Sequence, residues 1–324
     1  MELNLLDRLV NFFRGGFVLA FHEISAAKFL ELIECVGPAE VVPLSELVDR
    51  SKADKSTSGL FAITVDDAVG ESSRALSEVC LARAWPITFY VPTRYLDSGE
   101  GMAWQWWRRL KPHLPHRKLE LKSGTLDLSH PQAVEQLSKR MEQEWHTQPL
   151  ESYLGRTMEL VEFLVREEIA ALPDLLPPSP LTWPEVERYS KTELIRFESH
   201  GVSHTALSAL TEEELLYEMR RSQDVIAEHT GRPCRHLAYP FGSPQCVRPE
   251  VVSLAPKFYD SAATLMLGHV DGANPWMLPR IPFYAENSRW LAKAKLLLKC
   301  GSWRSMRWPE PDKEVTALPS RNRS

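Results

Sequence analysis

Apolar residues recur along this chain in two rhythms. Short runs at residues 17–21, 61–65 and 87–91, with interrupted ones at 194–197 and 258–264, have the length and the β-branched or aromatic content of strands. Between them, apolar residues return every three or four positions, which predicts helices over about residues 26–36, 44–50, 71–83, 131–145, 150–172 and 211–231. The last is the most clearly bounded: Thr211 and Glu214 form a capping box, Leu215, Leu216, Met219 and Ile226 share a face, and Gly231 ends it. Shorter strands are expected at 41–43, 235–238 and 278–281, and an amphipathic helix is expected over Leu5, Leu6, Leu9, Val10 and Phe13. Strand, helix and strand in alternation imply an α/β protein with a mostly parallel sheet or barrel.

Between Gly99 and Pro184 that rhythm breaks. Trp104, Trp106 and Trp107 cluster, basic proline-spotted sequence and two helical patterns follow, and a run with four prolines from Pro173 to Pro180 closes the excursion. We read residues 99–184 as an insertion decorating a single domain that spans 1–308. The polar tail, 309–324, is expected to be disordered. The tryptophans are either core anchors or a platform on which sugar rings stack.

Composition narrows the function classes. With 38 basic and 43 acidic residues the net charge is −5, so no global electrostatic case exists for nucleic-acid binding. The five cysteines are scattered and never spaced as a metal knuckle, which fits a reduced, cytoplasmic setting. The first residues lack an apolar run with a cleavage site, and no apolar window reaches the ~18 residues that span a bilayer. A soluble protein that is not exported is therefore the expectation. Near the C-terminus Arg289, Trp290, Lys293, Lys295, Trp303, Arg304 and Trp308 interleave with leucines. This basic helix either covers the barrel with its lysines in water or lies on an anionic membrane surface.

Polar residues gather where the apolar runs end. Strand 61–65 runs into Asp66-Asp67; adjacent side chains diverge, so one acid can face a metal and the other a substrate. Alternatively, either could cap a helix starting near Gly70. His22 follows the first strand. Two histidines four apart, His200 and His204, can meet one metal if the backbone makes a helical turn. Tyr239-Pro240-Phe241-Gly242 reads as a tight turn whose backbone N–H groups could face a ligand.

Together, these residues and their order resemble the polysaccharide deacetylase family, the group with the NodB homology domain. Thr64-Val65-Asp66-Asp67-Ala68 is similar to its Thr-Phe-Asp-Asp-Gly motif, and Ile87-Thr88-Phe89-Tyr90-Val91 to the strand that follows. Ser199-His200-Gly201-Val202-Ser203-His204 resembles Ser-His-Thr-Xaa-Ser-His, and Ala238-Tyr239-Pro240-Phe241-Gly242 is close to the branch with Ala-Tyr-Pro-Tyr-Gly. The resemblance covers roughly residues 17–283. It implies a distorted (β/α) barrel of about seven strands holding one divalent ion, often zinc, with Asp67, His200 and His204 as ligands and Asp66 as general base. It also implies removal of an acyl group, most simply N-acetyl, from an amino sugar of a polysaccharide or of a lipid- or nucleotide-linked precursor. The ion would lower the pKa of water from ~15.7 to ~7, and a backbone N–H near Phe241 would help hold the oxyanion.

Several positions depart from the pattern. Ala68 replaces Gly, and Gly201 stands in place of Thr or Ser. The arginine that steadies the catalytic acid aligns with Ala238, leaving Arg280 or Arg235 to substitute. No Leu-Xaa-Xaa-His motif closes the chain, so His22 and then His269 are the candidates for general acid. Phe241 and its turn, with Trp104 and Trp107, are the expected substrate contacts. A carbohydrate-binding protein that keeps the barrel without turnover is the alternative.

Overall fold

The computed structural model of the chain describes residues 15–114 and 116–297. The pattern over residues 5–13, the basic segment beyond residue 297 and the polar tail lie outside them.

In chain order the strands are β1 (Phe17–Phe21), β2 (Glu40–Val41), β3 (Leu60–Asp66), β4 (Ile87–Val91), β5 (Lys118–Leu121), β6 (Gly124–Asp127), β7 (Ile195–Ser199), β8 (His236–Ala238), β9 (Ser261–Ala263) and β10 (Ile281–Pro282). Seven of them form one curled sheet in the order β10-β1-β3-β4-β7-β8-β9, every neighbour parallel, with β2 pairing β3 off that path. A single parallel bridge, Ala263 to Leu278, draws the two edges together. The result is the distorted (β/α) barrel of about seven strands expected from the sequence.

Side-chain alternation explains the curl. On β3, Phe61, Ile63 and Val65 face outward into the main apolar core under the helices, whereas Ala62 lies in the separate cluster with Val18, Tyr90, Ala238 and Leu278 inside the barrel. Large apolar residues outside and small or polar ones inside let the sheet close around a narrow interior. Register decides what emerges from it. Phe21 pairs with Val65, Val65 with Phe89, and Phe89 with Phe197, so β1, β3, β4 and β7 end level. His22, Asp66-Asp67 and His200 consequently leave the sheet at one rim.

The helices are α1 (Ala26–Ile33), α2 (Leu44–Lys52), α3 (Gly70–Ala82), α4 (Thr93–Ser98), α5 (Ala103–Leu110), α6 (Ala133–Thr147), α7 (Leu150–Arg166), α8 (Leu172–Leu175), α9 (Trp183–Tyr189), α10 (Glu212–Thr230), α11 (Pro249–Leu254) and α12 (Arg289–Leu297). Helix α10 has the foreseen capping box at Thr211 and a left-handed Gly231 at its C-cap. From α5 to α8 the chain builds a second core around Trp107, Leu110, Leu137, Met141, Leu160 and Leu164. Helix α12 packs Ala292 and Leu296 on the barrel core. Lys295 turns inward, donating to Pro282 O and Asn287 Oδ1 at 2.7 Å each, rather than facing water, and Trp290 is exposed.

Some boundaries differ from expectation. The run 258–264 is a strand only over Ser261–Ala263, because Phe258 and Tyr259 donate back to Ala255 O and finish a tight helical turn. The closing strand begins at Ile281, since Leu278 bridges to β9 instead. The helix expected over 150–172 stops at Arg166, where Glu168 takes a left-handed φ of 51°. The antiparallel β5–β6 hairpin was not foreseen. Among the described residues no helix is long and apolar enough to cross a membrane, and Cys35, Cys80, Cys234 and Cys246 are buried free thiols.

Candidate active site

Asp66 is the last residue of β3, and its side chain points into the barrel. There Arg280 grips it with two bonds, Nη1 to Oδ1 at 2.7 Å and Nη2 to Oδ2 at 2.8 Å. Arg280 also donates from Nε to Thr264 O and from Nη1 to Thr64 Oγ1, so a fully buried guanidinium is fixed from three sides. It therefore occupies the place that the sequence left open between Arg280 and Arg235. Arg235 pairs with Asp260 on the exterior at 2.5 Å. Burial, the largest single influence, raises the pKa of Asp66, but the charge and hydrogen bond of Arg280 together with the nearby His200 and His22 outweigh it and keep the carboxyl below its usual range.

The chain then turns sharply. Asp67 and Ala68 both adopt positive φ, 71° and 50°, a conformation that costs a non-glycine residue roughly 1–2 kcal/mol. The turn persists because it is tied on both sides. Asp67 N donates to Tyr90 O, while Leu181 N and Gly70 N bond Ala68 O and Ser179 O across the returning end of the insertion. Neither acid caps a helix: the N-cap of α3 is Val69, and it has no side-chain bond.

Asp67 faces the two histidines. Its Oδ1 lies 3.5 Å from His200 Nε2 and 3.1 Å from His204 Nε2, all three side chains are buried, and one ligand atom from each falls within 4.8 Å of the others. The backbone from His200 to His204 is an open loop, with positive φ at Gly201 (76°) and His204 (56°), so the two histidines converge without the helical turn that their spacing would otherwise need. His200 Nδ1 sits 2.7 Å from Ala238 O; a carbonyl can only accept, so Nδ1 carries the proton and Nε2 presents a lone pair. Burial pushes the His200 pKa down to about 4, which keeps the imidazole neutral. For Asp67, burial acts upward, but the charge and hydrogen bond of His204, with smaller contributions from its other neighbours, together prevail and hold it well below the carboxylate range.

A cleft of about 1060 Å³ opens over this group. His22 and Asp66 lie in its floor, with His22 Nε2 3.7 Å from Asp66 Oδ2. Of the predicted substrate contacts, Trp104 and Phe241 line the cleft, and Phe241 stacks edge-on with His204 at 4.8 Å. The others do not. Trp107 is an anchor of the insertion core, 6% exposed. Tyr239 is fully buried and donates its hydroxyl to Trp276 O. Pro240 is buried, and Gly242 is a backbone contact: a Cβ there would come within 2.6 Å of Leu265 N. His269 packs on Phe17, the first residue of β1, at the opposite end of the strand from His22. Sequence reasoning missed Trp145, His146, Met266 and Tyr284, which complete the wall. Trp145 and His146 end a predicted helix, and helical period says nothing of what a terminus faces. Trp145 Nε1 and His22 Nδ1 are buried in the cleft with no hydrogen-bond partner among the described residues.

Comparison with known proteins agrees with this picture. No curated protein matches the chain significantly. The fold aligns with a candidate polysaccharide deacetylase from Bacillus anthracis (13% identity, 87% of this chain and 69% of that chain, TM-score 0.54). It aligns also with a deacetylase from Streptococcus pyogenes solved with acetate (11%, 87% and 97%, 0.52) and with a de-N-acetylase from Aggregatibacter actinomycetemcomitans (12%, 86% and 99%, 0.53). Residues 162–255, which carry both histidines, match the family model described as polysaccharide deacetylase, and the barrel around them has the fold of solved members of that group, hydrolases of amide carbon–nitrogen bonds.

Proposed function

We propose that this chain is a metal-dependent hydrolase that removes an N-acyl group, in the simplest case N-acetyl, from an amino sugar of a polysaccharide or of a lipid- or nucleotide-linked glycan precursor. One observation carries the reading: the lone pair of His200 Nε2 and the buried Asp67 Oδ1 face each other with no hydrogen bond between them, and His204 Nε2 completes the triangle. The His200 lone pair and the Asp67 carboxylate, facing each other out of water, repel unless a cation lies between them.

The donor set suits a divalent ion. Ligands at ~2.1 Å in tetrahedral geometry sit about 3.4 Å apart, close to the two separations found, and one carboxylate with two imidazoles is a catalytic zinc set that leaves a position open. When bound, such an ion supplies a Lewis acid and a water that ionises near neutral pH. The remaining roles fall to the chain. Asp66, kept ionised by Arg280, accepts the proton of the attacking water. His22 stands beside it to return a proton to the leaving amine nitrogen. Trp104 and Tyr284 offer stacking faces for sugar rings.

Purified protein supplied with Zn²⁺ or Co²⁺ should release acetate from N-acetylglucosamine oligosaccharides, and Asp66→Asn should abolish this while the protein remains folded. Unchanged release in that variant would show that Asp66 is not the base. The missing terminal Leu-Xaa-Xaa-His motif favours a second reading, a sugar-binding protein without turnover. Binding of the oligosaccharide with no acetate released at any metal loading would establish it.

A further inference from the structure

The loop that carries His200 and His204 has no regular secondary structure, yet most of its backbone groups have hydrogen-bond partners. His200 N donates to Val91 O, and Gly201 N to Ser199 Oγ; Gly201 O and Val202 O accept from Thr93 N and Arg94 N, and Ser203 O accepts from the Tyr95 hydroxyl. Two donors at the centre of the loop, Val202 N and Ser203 N, find no backbone partner. Both go to one side chain, Glu218 on α10. Its Oε2 accepts from Val202 N at 2.5 Å and from Ser203 N at 3.1 Å, and its Oε1 also accepts from Ser203 N, at 3.2 Å.

Glu218 is 6% exposed, on a buried and mostly apolar stripe with Leu215, Met219 and Ile226. A carboxylate there needs a reason, since burying it without partners is costly. The reason is paired with a sequence departure. A Cβ on Gly201 would lie 2.8 Å from Glu218 Oε2, so glycine at this position makes room for the carboxylate, and its φ of 76° bends the loop around it. One turn further along α10, Ser222 Oγ bonds Ser199 Oγ at 2.7 Å, so the same helix also holds the start of the loop.

We infer that Glu218 is a positioning residue: by gathering the two central N–H groups it sets the spacing of His200 and His204, and with it the affinity of the site for a divalent ion. The inference rests on the proposed metal site, and Gly201 and Glu218 form one unit in it. Residues that orient metal ligands change affinity about 10- to 100-fold when removed.

The test compares wild type with Glu218→Leu, which keeps a side chain of similar bulk on the buried stripe but removes both acceptor oxygens from the loop donors. Zn²⁺ affinity would be measured by competition with a chromophoric chelator, and the Co²⁺-loaded proteins compared by visible absorption. Expected are a 10- to 100-fold weaker affinity, an altered Co²⁺ spectrum, and amide hydrogen exchange at Val202 and Ser203 accelerated at least tenfold while core strands stay protected. Wild-type affinity and spectrum in the folded variant would overturn the inference. The exchange measurement needs no metal: if wild type binds no ion, the proposed function fails, and protection at Val202 and Ser203 unchanged by the substitution would separately overturn the positioning role.

Discussion

The Asp66–Arg280 pair shows how a single residue can serve both stability and chemistry. A carboxylate and a guanidinium, each almost fully removed from water, satisfy each other with two short bonds. Taking one partner away leaves a buried charge uncompensated, which typically costs 3–5 kcal/mol. Arg280→Gln should therefore lower the urea midpoint by an equivalent amount. It should also raise the Asp66 pKa, because the charge that depresses it is gone, so the acid limb of the pH profile of kcat/KM should move to higher pH. A stable variant with an unmoved limb would dissociate the pair from the reaction. Glu198 behaves in the opposite sense. It is buried inside the barrel, accepts from Arg235 N and His236 N at 2.7 Å, and burial raises its pKa to about 7. Folding thus retains a proton that the unfolded chain gives up near 4.5, and this group weakens the fold as pH rises from about 4.5 to about 7, by ~1.4 kcal/mol per unit at most. Glu198→Gln should flatten that part of the stability profile in urea titrations at a series of pH values; an unchanged slope would mean that Glu198 ionises normally.

Helix α5 separates packing from recognition within four residues. Trp104 faces the cleft, and Trp107, one turn on, is buried in the insertion core. Trp107→Ala should cost about 3–5 kcal/mol of stability through the cavity it leaves. Trp104 is half-buried against the edge of that core, so Trp104→Ala should cost distinctly less stability than Trp107→Ala and raise KM for a glycan roughly two- to tenfold, the worth of one aromatic contact. Equal effects in both assays would mean that the two rings share one role. The sequence alone could not make this division, because three tryptophans within four positions carry no statement of which face is covered. Other elements were more readable. Asp66 and His22 each follow a strongly apolar run, and His200 follows a strand that alternates apolar with polar residues, so chemistry at strand ends was visible without a structure. Arg280 was one of two candidates, and choosing it required knowing that a strand 214 residues from Asp66 closes the barrel beside it. Glu218 left a legible trace, a charged residue at the i+3 position from Leu215 on an apolar stripe, whereas Trp145, His146 and Met266 left none.

At the scale of the whole molecule, the level ends of β1, β3, β4 and β7 bring residues more than a hundred positions apart to one rim, and the insertion roofs them into a cleft. The barrel thus brings a carboxylate and two imidazole nitrogens together in one buried place, a donor set of the kind that suits a divalent cation. Whether they do hold one is tested by elemental analysis of the protein dialysed after loading with Zn²⁺, beside a variant in which Asp67, His200 and His204 are all alanine. The account predicts one ion per chain in the first, none in the second, and acetate release lost with the ion. A folded wild-type protein with no ion at stoichiometric level, or a triple variant that binds as well as wild type, would contradict it.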